Sequence, residues 1–159
     1  MAKQGTPGSS DVVLPLLFER LTEPEMPRDD VGALRQAVRD NLRLLLNSRS
    51  RPEAQDLNLD PEARYSTLGM GLSDYCGVGQ TDERIDQLQE EIRQQIIHFE
   101  PRIDPKSVAV SCQRQSRGNG SLRIRIDCRL NVNPFSKEME CYFYLDFETG
   151  LSMNLTAGA

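Results

Sequence analysis

The chain has 159 residues, with 19 Lys and Arg against 24 Asp and Glu and a net charge of −5. That length holds one domain with a core of its own, and the acidic balance argues against a nucleic-acid binder that works by neutralising phosphates. No apolar run approaches the ~20 residues that span a bilayer. The polar start MAKQGTPGSS has no hydrophobic segment of the secretory kind, so a cytoplasmic location is expected.

Residues 1–10 lack apolar periodicity and read as a mobile tail, leaving a single domain over residues 11–157. Val12 to Leu21 reads as a short helix, with Leu14, Leu17, Phe18 and Leu21 on one face, and TEPEMPRDD breaks it. Asp29 or Asp30 can cap a second helix to about Asn47, whose stripe is Val31, Leu34, Val38, Leu42 and Leu45. Ser48 to Gln80 has no sustained period and reads as a long ordered loop with one helical turn near Ser66. Thr81 can cap a third helix, in which Asp82 and Glu83 suit the dipole and Ile85, Leu88, Ile92, Ile96 and Phe99 form the stripe. Pro101 biases Glu100 away from helical angles and ends the helix.

Beyond Pro101 the period changes from 3.6 to 2, the signature of an antiparallel β-meander. Val108, Val110 and Cys112 alternate with polar residues, then Leu122 to Val132, then Met139 to Phe147, then Leu151, Met153 and Leu155. Residues paired across a ladder share a face, so loop parity follows from the pattern. A three-residue loop at Gly118-Asn119-Gly120 would pair Cys112 with Ile126, and Glu148-Thr149-Gly150 would close the last hairpin in the same way. A four-residue loop at Asn133 to Ser136 would set Arg129 opposite Glu140 and Arg123 opposite Asp146. The helical stripes can bury only on the dry face of this sheet. The expected fold is therefore α+β, a two-layer domain of three main helices on a four-stranded meander.

Little in the chain points to catalysis. There is no GxSxG, P-loop or GxGxxG pattern, and the single His98 has no marked nucleophile beside it. Cys76, Cys112, Cys128 and Cys141 contain no CxxC pair and read as reduced, mainly core thiols, so neither a metal nor a cofactor is expected. Acids abound, but no pair is singled out for hydrolytic work. One motif stands apart: Phe99-Glu100-Pro101-Arg102, where helix passes to sheet. It is either a Pro-terminated helix with a solvated charge pair, or a docking corner in which Pro101 splays Glu100 and Arg102 toward charges on a partner.

These residues carry a resemblance. LLFERL at Leu16 to Leu21, LLLNSR at Leu44 to Arg49, STLGMGLSD at Ser66 to Asp74 and FEPRI at Phe99 to Ile103 occur in order, with Leu145-Asp146 and Thr149-Gly150 near the C-terminus. Together they are similar to the TssE subunits of type VI secretion baseplates, a family that includes a phage baseplate wedge protein once described as lysozyme-like. Gly69, Met70 and Ser73 stand where that family often has Asn, Tyr and Pro, and Ser50 to Arg64 is longer than usual. The resemblance implies a non-enzymatic wedge subunit at the cytoplasmic face of the inner membrane. Its implied partners are the wedge proteins TssF, TssG and TssK and the sheath proteins TssB and TssC, with Phe99, Glu100, Pro101 and Arg102 as the partner-binding corner. The competing readings are a peptidoglycan hydrolase and a regulatory binding module of the same fold.

Overall fold

The computed structural model describes residues 31–49, 62, 65–76, 79, 81–114, 121–131, 136–147 and 152–157. The expected tail, the helix at Val12 to Leu21, the Asp29 or Asp30 cap and the hairpin tips lie outside these residues. Two long helices are described, α1 (Val31–Asn47) and α2 (Asp82–Phe99), with strands β1 (Ala109–Arg114), β2 (Ser121–Asn131), β3 (Ser136–Asp146) and β4 (Ser152–Ala157). The strands form one antiparallel sheet in the order β1-β2-β3-β4. The α+β class expected from the change of period is what the chain adopts.

The helices form where the stripes place them. Leu34, Val38, Leu42, Leu45 and Leu46 of α1 are buried, as are Ile85, Leu88, Ile92 and Ile96 of α2. Four leucines fall within Leu42 to Leu46, more than one face can hold, and Leu44 is left outside at 62 % exposure. The Thr81 hydroxyl accepts from Arg84 N–H at 3.4 Å, capping α2 as expected. The sheet presents to these helices Leu122, Ile124, Ile126, Cys128 and Leu130 from β2 and Met139, Cys141, Phe143 and Leu145 from β3, with Phe147 just past its end. α2 lies against β1 and α1 against β4, with the helices in contact along the middle. All of these side chains belong to one core cluster, in which each fully buried Leu, Ile or Phe contributes about 1.5–3 kcal/mol.

On β1, β2 and β3 the faces are as the alternation requires, but the registers differ. Cys112 pairs with Ile124, not Ile126, and Val110 takes Ile126. Arg129 pairs with Glu138, not Glu140, and Arg123 with Tyr144, not Asp146, whose partner is Ser121. Both slips are of two residues, which keeps every apolar side chain on its face; parity alone cannot distinguish such registers. The β2–β3 connection does have four residues, 132–135, one position earlier than expected. Between β3 and β4 the register shifts at Tyr142/Tyr144, with one extra residue on β4 between Tyr142↔Thr156 and Tyr144↔Met153.

Candidate functional site

Backbone conformation and hydrogen bonds set the geometry of the corner. Glu100 adopts φ −122° and ψ 84°, as a residue preceding proline must when it leaves a helix, while its N–H still donates to Ile96 O at 3.0 Å. The chain then runs alongside the end of β2: Asn131 N–H donates to Arg102 O at 2.8 Å, Asp104 N–H to Arg129 O at 2.9 Å, and Ile103 bridges Leu130. Pro101 and Arg102 themselves form a turn, closed by Ile103 N–H donating to Glu100 O at 3.2 Å. Glu100 and Arg102 therefore turn inward together while Pro101 faces out.

The two side chains meet fork to fork. Arg102 Nε donates to Glu100 Oε1 and Nη2 to Oε2, both at 2.7 Å. Arg102 N–H adds a bond to Oε1 at 3.2 Å and Asn41 Nδ2 of α1 one to Oε2 at 3.4 Å. Glu100 is 2 % exposed and Arg102 9 %. This corrects the expectation that Pro101 splays the two charges outward, and equally the reading of a solvated pair: the charges satisfy each other inside the fold. What the corner presents is Pro101, the half-buried Phe99 packed against the core, and His98, whose ring lies 4.2 Å from that of Tyr65.

The segment leading to α2 is held by that helix. Ser66 caps a short 3-10 turn over Thr67–Gly69, the single turn expected there. Gly71 has φ +114°, and a Cβ on it would sit 2.5 Å from Ser48 O, so only glycine lets the loop pass the end of α1, where Leu72 N–H donates to Ser48 O at 2.9 Å. Gln95 clamps both sides of that glycine, accepting from Gly71 N–H and donating to Gly69 O, each at 2.9 Å. One turn earlier Glu91 accepts from the N–H and hydroxyl of Ser73 at 2.7 Å and from the Tyr75 hydroxyl at 2.5 Å. Burial, and after it the bond to Glu91, push the Tyr75 hydroxyl above its ordinary range. The Glu91 and Gln95 clamp was missed from sequence. Its one signal was the four-residue spacing of two long polar side chains on the same side of α2.

The sheet edges differ. At β1, Cys112 N–H donates to Gln89 Oε1 of α2 at 3.0 Å, and Arg114 pairs with Asp82 at 2.5 Å. On the wet face Asp127 lies opposite Glu140, and Arg125 bridges both at 3.0 and 2.8 Å. Arg123 stands over the Tyr142 ring, 4.4 Å from its centroid. None of the four cysteines forms a disulfide; burial raises Cys112 and Cys128 to about 12 and also pushes up Cys141, against the pull of the Arg39 guanidinium. Among the described residues no cluster of His, Cys, Asp and Glu could hold a metal ion, and no helix is long and apolar enough to cross a membrane.

The family model described as Baseplate wedge protein gp25 matches residues 32–134, from the start of α1 through the corner to the end of β2. The chain belongs to this family. Among curated proteins and among solved structures, none matches it. Membership supports a structural role in a phage-tail-like baseplate, with other baseplate components as partners. For a baseplate wedge protein, the buried Glu100–Arg102 pair makes physical sense as a rigid joint between the helical layer and the sheet.

Proposed function

We propose that this baseplate wedge protein is a structural subunit of a type VI secretion system, placed at the cytoplasmic side of the inner membrane. It works by contact and not by catalysis, joining TssF, TssG and TssK and helping to start the TssB–TssC sheath. The observation that carries this reading is the corner. A bidentate ion pair at 2.7 Å, buried inside the family-matched region, fixes the angle between α2 and the end of β2. Phe99, Glu100, Pro101 and Arg102 then act as one docking unit, in which Glu100 and Arg102 hold the shape and Pro101 with the open side of Phe99 makes the contact. Such pre-organisation lowers the ordering cost of assembly. A sheath strand is added at the β4 edge, because the outward Cys112 N–H of β1 is already engaged by Gln89.

Co-expression of the full chain with the wedge and sheath proteins tests this. The expected result is a co-purified wedge complex and sheath polymerisation, with Pro101→Asp reducing both while the circular dichroism of the isolated protein stays unchanged. A folded chain that retains no wedge partner, or one that cleaves purified peptidoglycan and loses that turnover with a single carboxylate substitution, overturns the proposal.

A further inference from the structure

Between the first half of α1 and the β2–β3 ribbon lies an open groove of about 580 Å³, lined among others by Arg35, Arg39, Arg129, Glu138 and Glu140. Four of its lining residues are arginines and three are carboxylates, a positive balance in a chain of net charge −5. The charges are unevenly spent. Arg125 takes both Asp127 and Glu140. Arg35 and Arg39, one turn apart on α1, have no carboxylate partner among the described residues.

Each of the two is nevertheless held in place, and the Arg39 guanidinium also lies close enough to the Cys141 thiol to bear on its titration. Arg35 Nη2 donates to Glu138 O at 3.0 Å, and Arg39 Nη1 to Gln36 Oε1 at 2.9 Å. The Nε–H of both is shut off from solvent without an acceptor. Those Nε donors are closed to an incoming group, so recognition falls to the Nη groups of the two neighbouring guanidinium ends on the groove wall, whose geometry matches carboxylates.

We propose that this groove receives an acidic segment of a neighbouring protein, with Arg35 and Arg39 as its carboxylate-binding residues. The inference deepens the docking reading above by giving the chemistry of one partner segment. Two arginines on one helix make too small a footprint for a polyphosphate backbone, whose binding rests on neutralising many successive charges. The groove adjoins the corner: Arg129 N–H donates to the Ser107 hydroxyl at 2.8 Å, and Arg129 O accepts from Asp104, two residues past Arg102. A partner seated on the corner would thus reach the groove with its next few residues.

The test is fluorescence anisotropy of the full chain with a labelled hexaglutamate peptide, and with hexalysine as the counter-probe. Saturable glutamate binding is expected, weaker with added salt, absent for lysine and reduced at least ~10-fold by Arg35→Gln with Arg39→Gln, the loss of a charge-assisted contact. Arg114→Gln, at the β1 edge, should leave it unchanged. Arg35→Gln alone serves if the double variant does not fold. No saturable binding, binding indifferent to Arg35, or displacement by an oligonucleotide at lower concentration than by free glutamate peptide overturns the proposal. Co-purified wedge partners without peptide binding sink the groove alone; peptide binding without those partners sinks the wedge reading alone.

Discussion

Replacing Glu100 by alanine removes the carboxylate that takes Arg102 Nε and Nη2 at 2.7 Å and leaves those two donors unmet on a guanidinium 9 % exposed. Breaking a buried pair from one side costs about 3–5 kcal/mol, chiefly for the stranded charge. Against a total stability of about 5–15 kcal/mol for a domain, that is a large share. Arg102→Ala should cost a similar amount by stranding the Glu100 charge, which would keep only the 3.2 Å bond from the backbone N–H of residue 102 and the long 3.4 Å bond from Asn41. The double variant Glu100→Leu with Arg102→Met should lose far less than the two single costs combined, because replacing both ions with apolar groups is often neutral. Urea denaturation followed by far-UV circular dichroism measures all three, and a double-mutant cycle isolates the coupling. Single costs below about 1 kcal/mol, the value of an exposed pair, would refute the geometry, and so would simple additivity. The double variant also separates shape from charge: if it still assembles into baseplates, the pair serves to build the corner and is not itself what a partner reads.

Gly71→Ala forces a Cβ to within 2.5 Å of Ser48 O at a positive φ, and a loss of about 1–3 kcal/mol is expected in thermal or urea unfolding. Glu91→Ala should free the loop before the fold: amide exchange at Ser73 should accelerate, while unfolding shifts by about 1–3 kcal/mol, the cost of leaving the buried Tyr75 hydroxyl unmet. Folded-state thiol pKa values of Cys112 and Cys128 stand at about 12 against an ordinary 9.0. The buried neutral forms therefore add stability that is fully present below pH 9 and is lost as pH rises toward 12, which a urea series from pH 8 to the alkaline limit would follow. By the same burial, a thiol reagent at pH 8 should modify exposed Cys76 first and reach the others only on unfolding.

What could be read ahead of the structure follows from which constraints are local. The α1 and α2 stripes and the alternation of β2 and β3 each state a face, and a face is a property of spacing alone, so Leu34 to Leu45, Ile85 to Ile96 and Leu122 to Phe147 lie where their periods put them. Register is not local. Moving Cys112 from Ile126 to Ile124 changes no side chain's face, and the choice between the two depends on the backbone geometry of a turn. The cross-strand charges show the same limit. Opposite signs were expected to face one another, yet Asp127 faces Glu140, an arrangement that becomes tolerable only because Arg125, from the same strand as Asp127, reaches both.

The corner was legible as a motif and misread as a geometry. A charged pair flanking proline suggests divergence if proline is taken as a wedge, but Glu100 leaves the helix in a non-helical conformation and the turn at Pro101 and Arg102, closed by Ile103 N–H to Glu100 O, returns residues 100 and 102 to one side. Which side is then decided by tertiary structure. The hydrogen bonds from Asn131 and Asp104 lay the segment along β2, and Asn41 of α1 arrives from the helical layer to meet Glu100, so the inner side is the one that offers partners. A charge pair that faces inward cannot serve as the bait for a partner unless it opens, and opening costs what the Glu100 variants measure. In the docking proposed above the pair therefore stays shut and the contact falls to neighbouring surface: Pro101 at the tip, and, one helix away, Arg35 and Arg39, whose donors the fold uses only in part.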